Sequence, residues 1–543
     1  MFFINRIIKL KSTPTRLVLL MSVFLLLTAN WTFFGKLTDV YPWNSENALF
    51  LLSMGIFLSS VLVLITTFFY LVLPVRIVVS LFILLAAVAG YFADQMGVVI
   101  DKDMIRNILE TNISEATDLM NLGLILRVLL LGVLPVILIW RWPLQKSGWL
   151  HETRYTLQTA AGSIVVILAT VLLCSDYYAS FFREHKSLRY YINPTLSIYS
   201  MVKYVKEATK SSGPIQFALL TSKAETPTND NHSELIILVV GETARADHFS
   251  LNGYRRETNP ELAKETALIS FSNISACGTS TAISVPCMFS QAGHDSFDVE
   301  LARHTENILD ILNKAKVNVL WRDNNSSSKG MANRVTFEDY RSPDINPICD
   351  PECRDTGMLD GLQNYIDTHE GDILIVLHQM GSHGPAYYKR YPGKFERFKP
   401  ACHTLELSAC TDEEVINAYD NSILYTDYFL SKVIELLKKN TPQYETAMLY
   451  VSDHGESLGE SGLYLHGMPY MIAPEAQIKV PVITWVGESS DIDYQKTLSL
   501  KDTPNSHDAL FSTLLDSFET QTDLTYHDYP PLVYFKDKDH DDD

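Results

Sequence analysis

Five long apolar runs crowd into the first 182 residues, roughly Leu17–Phe34, Ala48–Val75, Ile77–Phe92, Leu122–Trp140 and Leu157–Cys174. Most reach or approach the ~20 residues that cross about 30 Å of hydrocarbon as a helix. The second extends for 28 residues without a charge. Buried helices of a large soluble core are the rival reading, and five such runs in series argue against it. The first run has the basic start of a signal peptide. It is long for one, lacks a clear small-x-small cleavage site and is followed by further runs, so it reads as an uncleaved span.

Basic residues set the expected orientation. With the N-terminus in the cytoplasm, the inner side carries Arg6, Lys9, Lys11, Arg16, Arg76, Arg141, Lys146 and Arg154, against Lys36, Lys102 and Arg106 outside. Five spans then place everything after Cys174 outside the cytoplasm. Arg127 lies inside the fourth run and either snorkels to the interface or faces other helices.

The remainder of the 543 residues is different in kind. Residues 1–210 hold 18 basic and 12 acidic side chains, whereas the rest holds 26 and 51. An apolar, basic part is thus joined to a polar, acidic one, the pattern of a membrane anchor with a soluble domain. A net charge of −19 excludes a general nucleic-acid binder, and 7 cysteines are too few for a small disulfide scaffold. Between the two parts, Asp176–Ser212 mixes aromatics with bases, as interfacial helices do. Gly213–Ser233 reads as a linker, and the acidic end KDKDHDDD as a frayed tail. The expected division is a five-helix membrane domain over 1–175, interfacial helices and linker over 176–233, and a catalytic domain over 234–543.

Six cysteines fall in the exterior part. Proximity pairs them as 277–287, 349–353 and 402–410, with Cys174 left as a free buried thiol. Loops this short contribute about 2–3 kcal/mol each in the chain-entropy account. A zinc-thiolate site is the rival, but paired C-x2-C knuckles are missing.

In the soluble part, ELIILVV (234–240), VNVLW (317–321), DILIVLH (372–378), AMLYVS (447–452) and VPVITWV (480–486) alternate with helical patterns. Continuous apolar strands of this kind suit a mostly parallel sheet covered on both faces, an α/β fold. Ligands in such sheets bind at the carboxyl ends of strands. Here those ends read Gly241-Glu242-Thr243, Arg322-Asp323-Asn324-Asn325, His378 through His383, and Asp453-His454-Gly455-Glu456. Two carboxylates and an imidazole, Glu242, Asp453 and His454, form a candidate zinc set, although a single carboxylate after a strand is commonly only a cap. The segment SACGTSTAISVPCMF offers Thr279, Ser280, Thr281 and Ser284 as nucleophiles at a helix start, where N–H groups suit a phosphate. Spacing alone does not choose among the four.

The segments VVGETARADHFSLNGY, SACGTSTAISVPCMFS, WRDNNSSSKG, HQMGSHGPAYYKRY, NAYDNSILYTD, YVSDHGESLGE and YLHGMP together resemble the lipid A phosphoethanolamine transferases, including the mobile colistin-resistance enzymes. The resemblance covers nearly the whole chain. It implies five spans, interfacial helices and a periplasmic domain of alkaline phosphatase/sulfatase type. It further implies that Thr281 is the nucleophile, and that Glu242, Thr281, Asp453 and His454 hold a catalytic zinc, with a second zinc possible in the family. His383 and His466 match histidines near the zinc. Asn325 and Lys329 match residues that contact the phosphoryl group. Asn107, Thr111 and Glu115 match donor-binding positions, and their i, i+4, i+8 spacing shares one face of a helix. The family's three disulfides agree with the pairing by proximity.

What the resemblance implies in function is transfer of phosphoethanolamine from phosphatidylethanolamine to a lipid A phosphate, in the inner membrane of a Gram-negative bacterium. The expected assembly is a monomer. A relative with another acceptor, such as a core sugar, or with another group, such as glycerol phosphate, is the alternative. No C-x-P-x-R or S-x-P-x-R motif for a sulfatase nucleophile is present. A membrane-anchored pseudoenzyme is disfavoured because every proposed ligand and Thr281 are in place.

Overall fold

The computed structural model describes residues 12–111, 113–145, 148–210, 216–226, 232–441, 443–524 and 529–536. The chain forms two compact units, one comprising Met1–Ile105 and Met120–Lys206, the other Arg106–Leu119 and Glu207–Asp543.

The first unit is helical. Among the described residues, four helices are long and apolar enough to span a membrane: Ala48–Tyr70, Val75–Met96, Leu122–Arg141 and Leu150–Leu173. The first apolar run, expected as an uncleaved span, forms Pro14–Ala29 followed by Trp31–Val40, bent by 66°. Asn30 sits at the bend. Its amide donates to Leu25 O (3.1 Å) and Asn193 O (2.8 Å), and its Oδ1 accepts from Asn193 N (2.9 Å). The break is thus held by the Asn30 side chain, which bonds the Leu25 carbonyl of the preceding turn and both backbone groups of Asn193. The number of spans is therefore four, or five with the bent pair counted. The fourth span carries a π-helical turn at Val128–Val133 just before Pro135. A proline cannot donate to the preceding turn, so the ladder widens there. Arg127 faces other helices: its Nη2 lies 2.6 Å from Asp94 Oδ2 and 3.1 Å from Thr28 O. Helices Ser175–Arg183 and Thr195–Lys210 follow in the region expected to be interfacial.

The second unit is built on an eight-stranded mixed sheet. Its strands in chain order are β1 (Ser233–Gly241), β2 (Leu268–Ser275), β3 (Asn318–Asp323), β4 (Thr336–Asp339), β5 (Ile373–His378), β6 (Tyr444–Ser452), β7 (Lys479–Val486) and β8 (Asn505–Ser506). Their spatial order is β8-β2-β7-β6-β1-β5-β3-β4. All neighbours are parallel except β7, which runs antiparallel to both β2 and β6. β1 lies centrally with Leu235 to Val240 buried, as its unbroken apolar sequence requires. Burying each such side chain stabilises the fold by about 2–3 kcal/mol. The longest helix, Asp412–Asn440, packs on the same unit. It starts at a Thr411/Glu414 capping box and ends on Lys438 and Lys439, charges that complement both ends of its dipole.

Part of the expected linker belongs to this unit. Ala224–Glu225 pairs with Gln521–Thr522, and the Thr221 and Ser222 hydroxyls bond Asp523. The remaining linker residues 213–215 and 227–231, and the tail 537–543, lie outside the described residues. The disulfides Cys277–Cys287, Cys349–Cys353 and Cys402–Cys410 form as proximity suggested, and Cys174 is free and buried.

Register positions the site. Val240 pairs with His378, Gly241 with Ser452, and Asp323 with His378. The carboxyl ends of β1, β3, β5 and β6 therefore finish level, and the residues that follow them meet at one edge.

Candidate active site and metal centre

Glu242 is the first residue beyond β1, and Asp453 and His454 are the first beyond β6. One ligand atom from each lies within 4.8 Å of the others, and all three residues are buried. The His454 Nδ1–H donates to Gly455 O at 2.9 Å, which turns the Nε2 lone pair inward. That atom is 3.5 Å from Glu242 Oε1 and 3.4 Å from Asp453 Oδ2. Asp453 Oδ2 is buried and accepts no hydrogen bond among the described residues. Lone pairs of Glu242, Asp453 and His454 thus converge from three sides, a donor set that fits a divalent cation such as Zn²⁺. The electrostatics agree. Burial and the charge on Glu242 push Asp453 up to about 7. Burial alone would raise Glu242, but the imidazoles of His454, His383 and His466 hold it well below the usual carboxylate range. Burial opposes protonation of His454, and the carboxylates of Asp453 and Glu242 outweigh it.

Thr281 opens the helix Thr281–Met288, within the loop closed by Cys277–Cys287. Its Oγ1 is 3.1 Å from Glu242 Oε2 and 3.3 Å from His454 Nε2. Two of the other candidate hydroxyls are occupied elsewhere. Thr279 donates to Met468 O at 2.6 Å, and Ser284 donates to the Asp453 carbonyl. Geometry therefore separates hydroxyls that spacing could not.

Lys329 is buried, and its Nζ donates to Ser326 Oγ (2.7 Å) and Ser326 O (3.1 Å). No carboxylate pairs with it among the described residues. A buried ammonium without a counter-ion suits an anionic substrate. The His383 and His466 rings are 5.5 Å apart, and the His466 ring lies 4.3 Å from that of His454, tilted by 43°. The Asn325 Nδ2 donates to Glu242 Oε2 (2.8 Å) and Gln379 O (2.7 Å), so its amide orients the metal-facing acid.

Asn107 and Thr111 belong to the same unit as this centre. They do not share one continuous helix with Glu115. Helix Lys102–Glu110 ends, and a second one covers Ile113–Asp118. Thr111 Oγ1 donates back to Asn107 O at 2.6 Å, the kind of side-chain bond that competes with helix continuation. The Glu115 side chain lies outside the described residues.

Three further residues shape the site without having been singled out in the sequence. Thr243, at φ +59°, donates its N–H to Asp453 Oδ1 (3.1 Å) and its hydroxyl to Glu242 Oε1. Glu456 bonds His466 Nδ1 (2.8 Å) and accepts from Tyr387 OH (2.6 Å). Burial pushes Glu456 up to about 8, and burial with the nearby His454 pulls His466 down to about 3, so the pair keeps one proton near neutral pH. His507 Nε2–H donates to Ser452 O (2.9 Å) while its Nδ1 accepts from Cys277 N (3.2 Å), bracing β6 against the Thr281 loop. Their places in the strand-end segments, Thr243 directly after Glu242 and Glu456 three residues after Asp453, were the available signal for the first two. His507 had none.

Residues 234–520 match the sulfatase family, and residues 57–209 match the family described as phosphoethanolamine transferase EptA/EptB. The chain is 44% identical over 526 residues to phosphatidylethanolamine transferase Mcr-1 of Escherichia coli, covering 94% of this chain and 96% of that one. It is 39% identical over 511 residues to phosphoethanolamine transferase EptA of Escherichia coli K12, covering 92% of each. The solved structure of the integral membrane lipooligosaccharide phosphoethanolamine transferase A from Neisseria meningitidis superposes with a TM-score of 0.90 at 34% identity, covering 94% of this chain and 97% of that one. Helical unit, sulfatase-type α/β unit and acid-histidine-threonine centre thus occur together along a matched length, and the chain belongs to the phosphoethanolamine transferases.

Proposed function

We propose that this transferase moves phosphoethanolamine from phosphatidylethanolamine to a lipid A phosphate through a covalent intermediate on Thr281. The observation that carries the reading is the Thr281 hydroxyl set between Glu242 Oε2 (3.1 Å) and His454 Nε2 (3.3 Å). Similarity to transferases named for phosphatidylethanolamine supports the donor. In this reading residues 1–175 contribute five spans, counting the bent pair as one, in the inner membrane of a Gram-negative cell. Residues 176–233 lie at the interface and connect, and 234–543 work in the periplasm as part of a monomer.

Glu242, Asp453, His454 and Thr281 would hold a zinc ion. When bound, it supplies Lewis acidity that lowers the hydroxyl pKa and offsets charge on the phosphoryl oxygens. The chain's own residues do the rest. The Thr281 Oγ1 proton passes to His383 or His466, and Oγ1 attacks phosphorus as the bond to the diacylglycerol oxygen breaks. His383 or His466 protonates that departing oxygen. Lys329 pairs with a phosphoryl oxygen, and Asn325 keeps Glu242 aimed at Thr281. Asn107, Thr111 and Glu115 hold the ethanolamine end of the donor. An acceptor phosphate oxygen then attacks the same phosphorus, and Oγ1 leaves and regains its proton. Two displacements at one nucleophile give ping-pong kinetics. The product carries an added ammonium beside a phosphate, which weakens the attraction of lipid A for cationic polymyxins and so confers resistance.

Mass spectra of lipid A from Gram-negative cells expressing the chain, beside Thr281→Ala, test this. A gain of one phosphoethanolamine unit that disappears in the variant supports it. A gain that persists removes Thr281 as nucleophile, and a gain found on core sugar instead reassigns the acceptor.

A further inference from the structure

Arg390 lies seven residues beyond His383, within the segment HQMGSHGPAYYKRY, and is absent from the mechanism above, yet it is buried beside the site. Its Nε–H donates to the His383 carbonyl at 2.6 Å. Its Nη2 donates to Asp118 Oδ2 at 2.8 Å, and its Nη1 bonds Glu352 in the loop closed by Cys349–Cys353. Lys389 Nζ bonds the second oxygen of Asp118, so two cations face two carboxylates and the cluster is neutral. Asp118 is itself buried and ends the helix Ile113–Asp118. Although residues 106–119 fall between candidate spans in sequence, they belong to the same compact unit as the sheet. Two more ion pairs hold that segment, Arg106 to Glu300 and Arg303 to Glu110, each at 2.7 Å. The segment also carries Asn107 and Thr111.

We infer that Arg390 is a positioning residue that sets the His383 loop against the segment 106–119. Its planar fork satisfies three oxygens in fixed directions, from Asp118, Glu352 and His383. The donor-binding segment and the histidine that meets the departing oxygen are thereby registered to each other through one guanidinium. This inference rests on the mechanism above with His383, of the two histidines, as the one that protonates the departing oxygen. Lysine at 390 would keep the charge but could not serve all three acceptors at once.

The test uses the full-length protein in phospholipid nanodiscs with headgroup-labelled phosphatidylethanolamine and lipid A. Diacylglycerol release and thermal unfolding are measured for Arg390→Lys, Arg390→Met, Asp118→Asn, His383→Ala and the double variants with His383→Ala. Arg390→Lys should melt near wild type yet lose roughly 10- to 100-fold in kcat. Asp118→Asn should raise KM for the donor and lower kcat together. In kcat, His383→Ala combined with either Arg390→Lys or Asp118→Asn should be no slower than His383→Ala alone, because that part of the positioning acts through His383, while the rise in donor KM with Asp118→Asn persists. Losses in kcat that multiply in the double variants, or a fully active Arg390→Lys, overturn the proposal while leaving His383 in its role. Full activity of His383→Ala overturns the role of His383 and the proposal with it. Should Arg390→Met fail to fold, the Arg390→Lys and Asp118→Asn pairings decide the matter.

Discussion

The backbone N–H of Thr243 points at Asp453 Oδ1 across 3.1 Å. The same residue gives its hydroxyl to Glu242 Oε1, so one threonine fixes both acids of the candidate metal centre. It does so from φ +59°, a region that β-branched residues rarely occupy and that costs of order 1–3 kcal/mol. Strain of that size persists where the surrounding structure imposes it. Thr243→Val keeps the shape and removes the hydroxyl. We expect zinc affinity to fall about 10- to 100-fold, the usual effect of losing a partner that orients a ligand. Competition with a chromophoric chelator measures it. Unchanged affinity would show that Glu242 needs no such support.

Gly381 provides a second control on Glu242. At φ +53°, a Cβ built on it would stand 2.7 Å from the Glu242 carbonyl oxygen and 3.0 Å from its Cβ. Backbone and a buried acid cannot yield cheaply. Gly381→Ala should lower stability by about 1–3 kcal/mol and shift Glu242 enough to reduce transfer. Thermal unfolding and transfer rate are read together. An active variant with a wild-type melting point would mean that the loop relaxes without moving Glu242.

Much of this centre was legible from local sequence. ELIILVV, DILIVLH and AMLYVS are apolar enough to be buried on both faces, so their ends had to converge, and the acids and imidazoles there were visible. What escaped depends on partners distant in the chain. Asn30 lies in an apolar run and looked harmless until its amide met Asn193, 163 residues away. Thr279 and Ser284 were as good as Thr281 until Met468 and Asp453 claimed their hydroxyls. β2, β4 and β8 carry mixed or short patterns, and β7 looked like the other apolar strands although it runs antiparallel. Periodicity reports burial and says little about direction or pairing.

Asp427, on the long helix, gives a pH dependence away from the metal centre. It accepts from Glu261 N (2.8 Å) and Leu262 N (3.0 Å), yet burial pushes it up to about 7. The unfolded chain releases this proton near pH 4, whereas the folded domain keeps it to about pH 7. Its contribution is therefore fully present below pH 4 and is lost as pH rises through 7, an effect of order 2–4 kcal/mol. Asp427→Asn abolishes the titration. Its melting temperature relative to wild type should improve from pH 5 to about pH 7 and then level off towards pH 8. A constant difference across that range would show that Asp427 titrates normally.

The ion pair between Arg127 and Asp94 makes a different kind of statement about the helical unit. The pair is 2.6 Å apart with side chains 15% and 11% exposed. Asp94 also accepts from Thr32 N (3.1 Å) and Thr32 Oγ1 (2.6 Å), which ties the bent first pair of helices to the third span. Charges are tolerated among apolar helices only when paired, so removing one partner strands the other. Asp94→Leu and Arg127→Leu should each destabilise the full-length protein by about 3–5 kcal/mol. The double variant should recover part of this, because no charge is left uncompensated, but not all, because the Thr32 and Thr28 bonds are lost as well. The fraction remaining monodisperse in detergent after graded heating reports it. A double variant as unstable as the sum of the singles would mean that the two charges do not support each other.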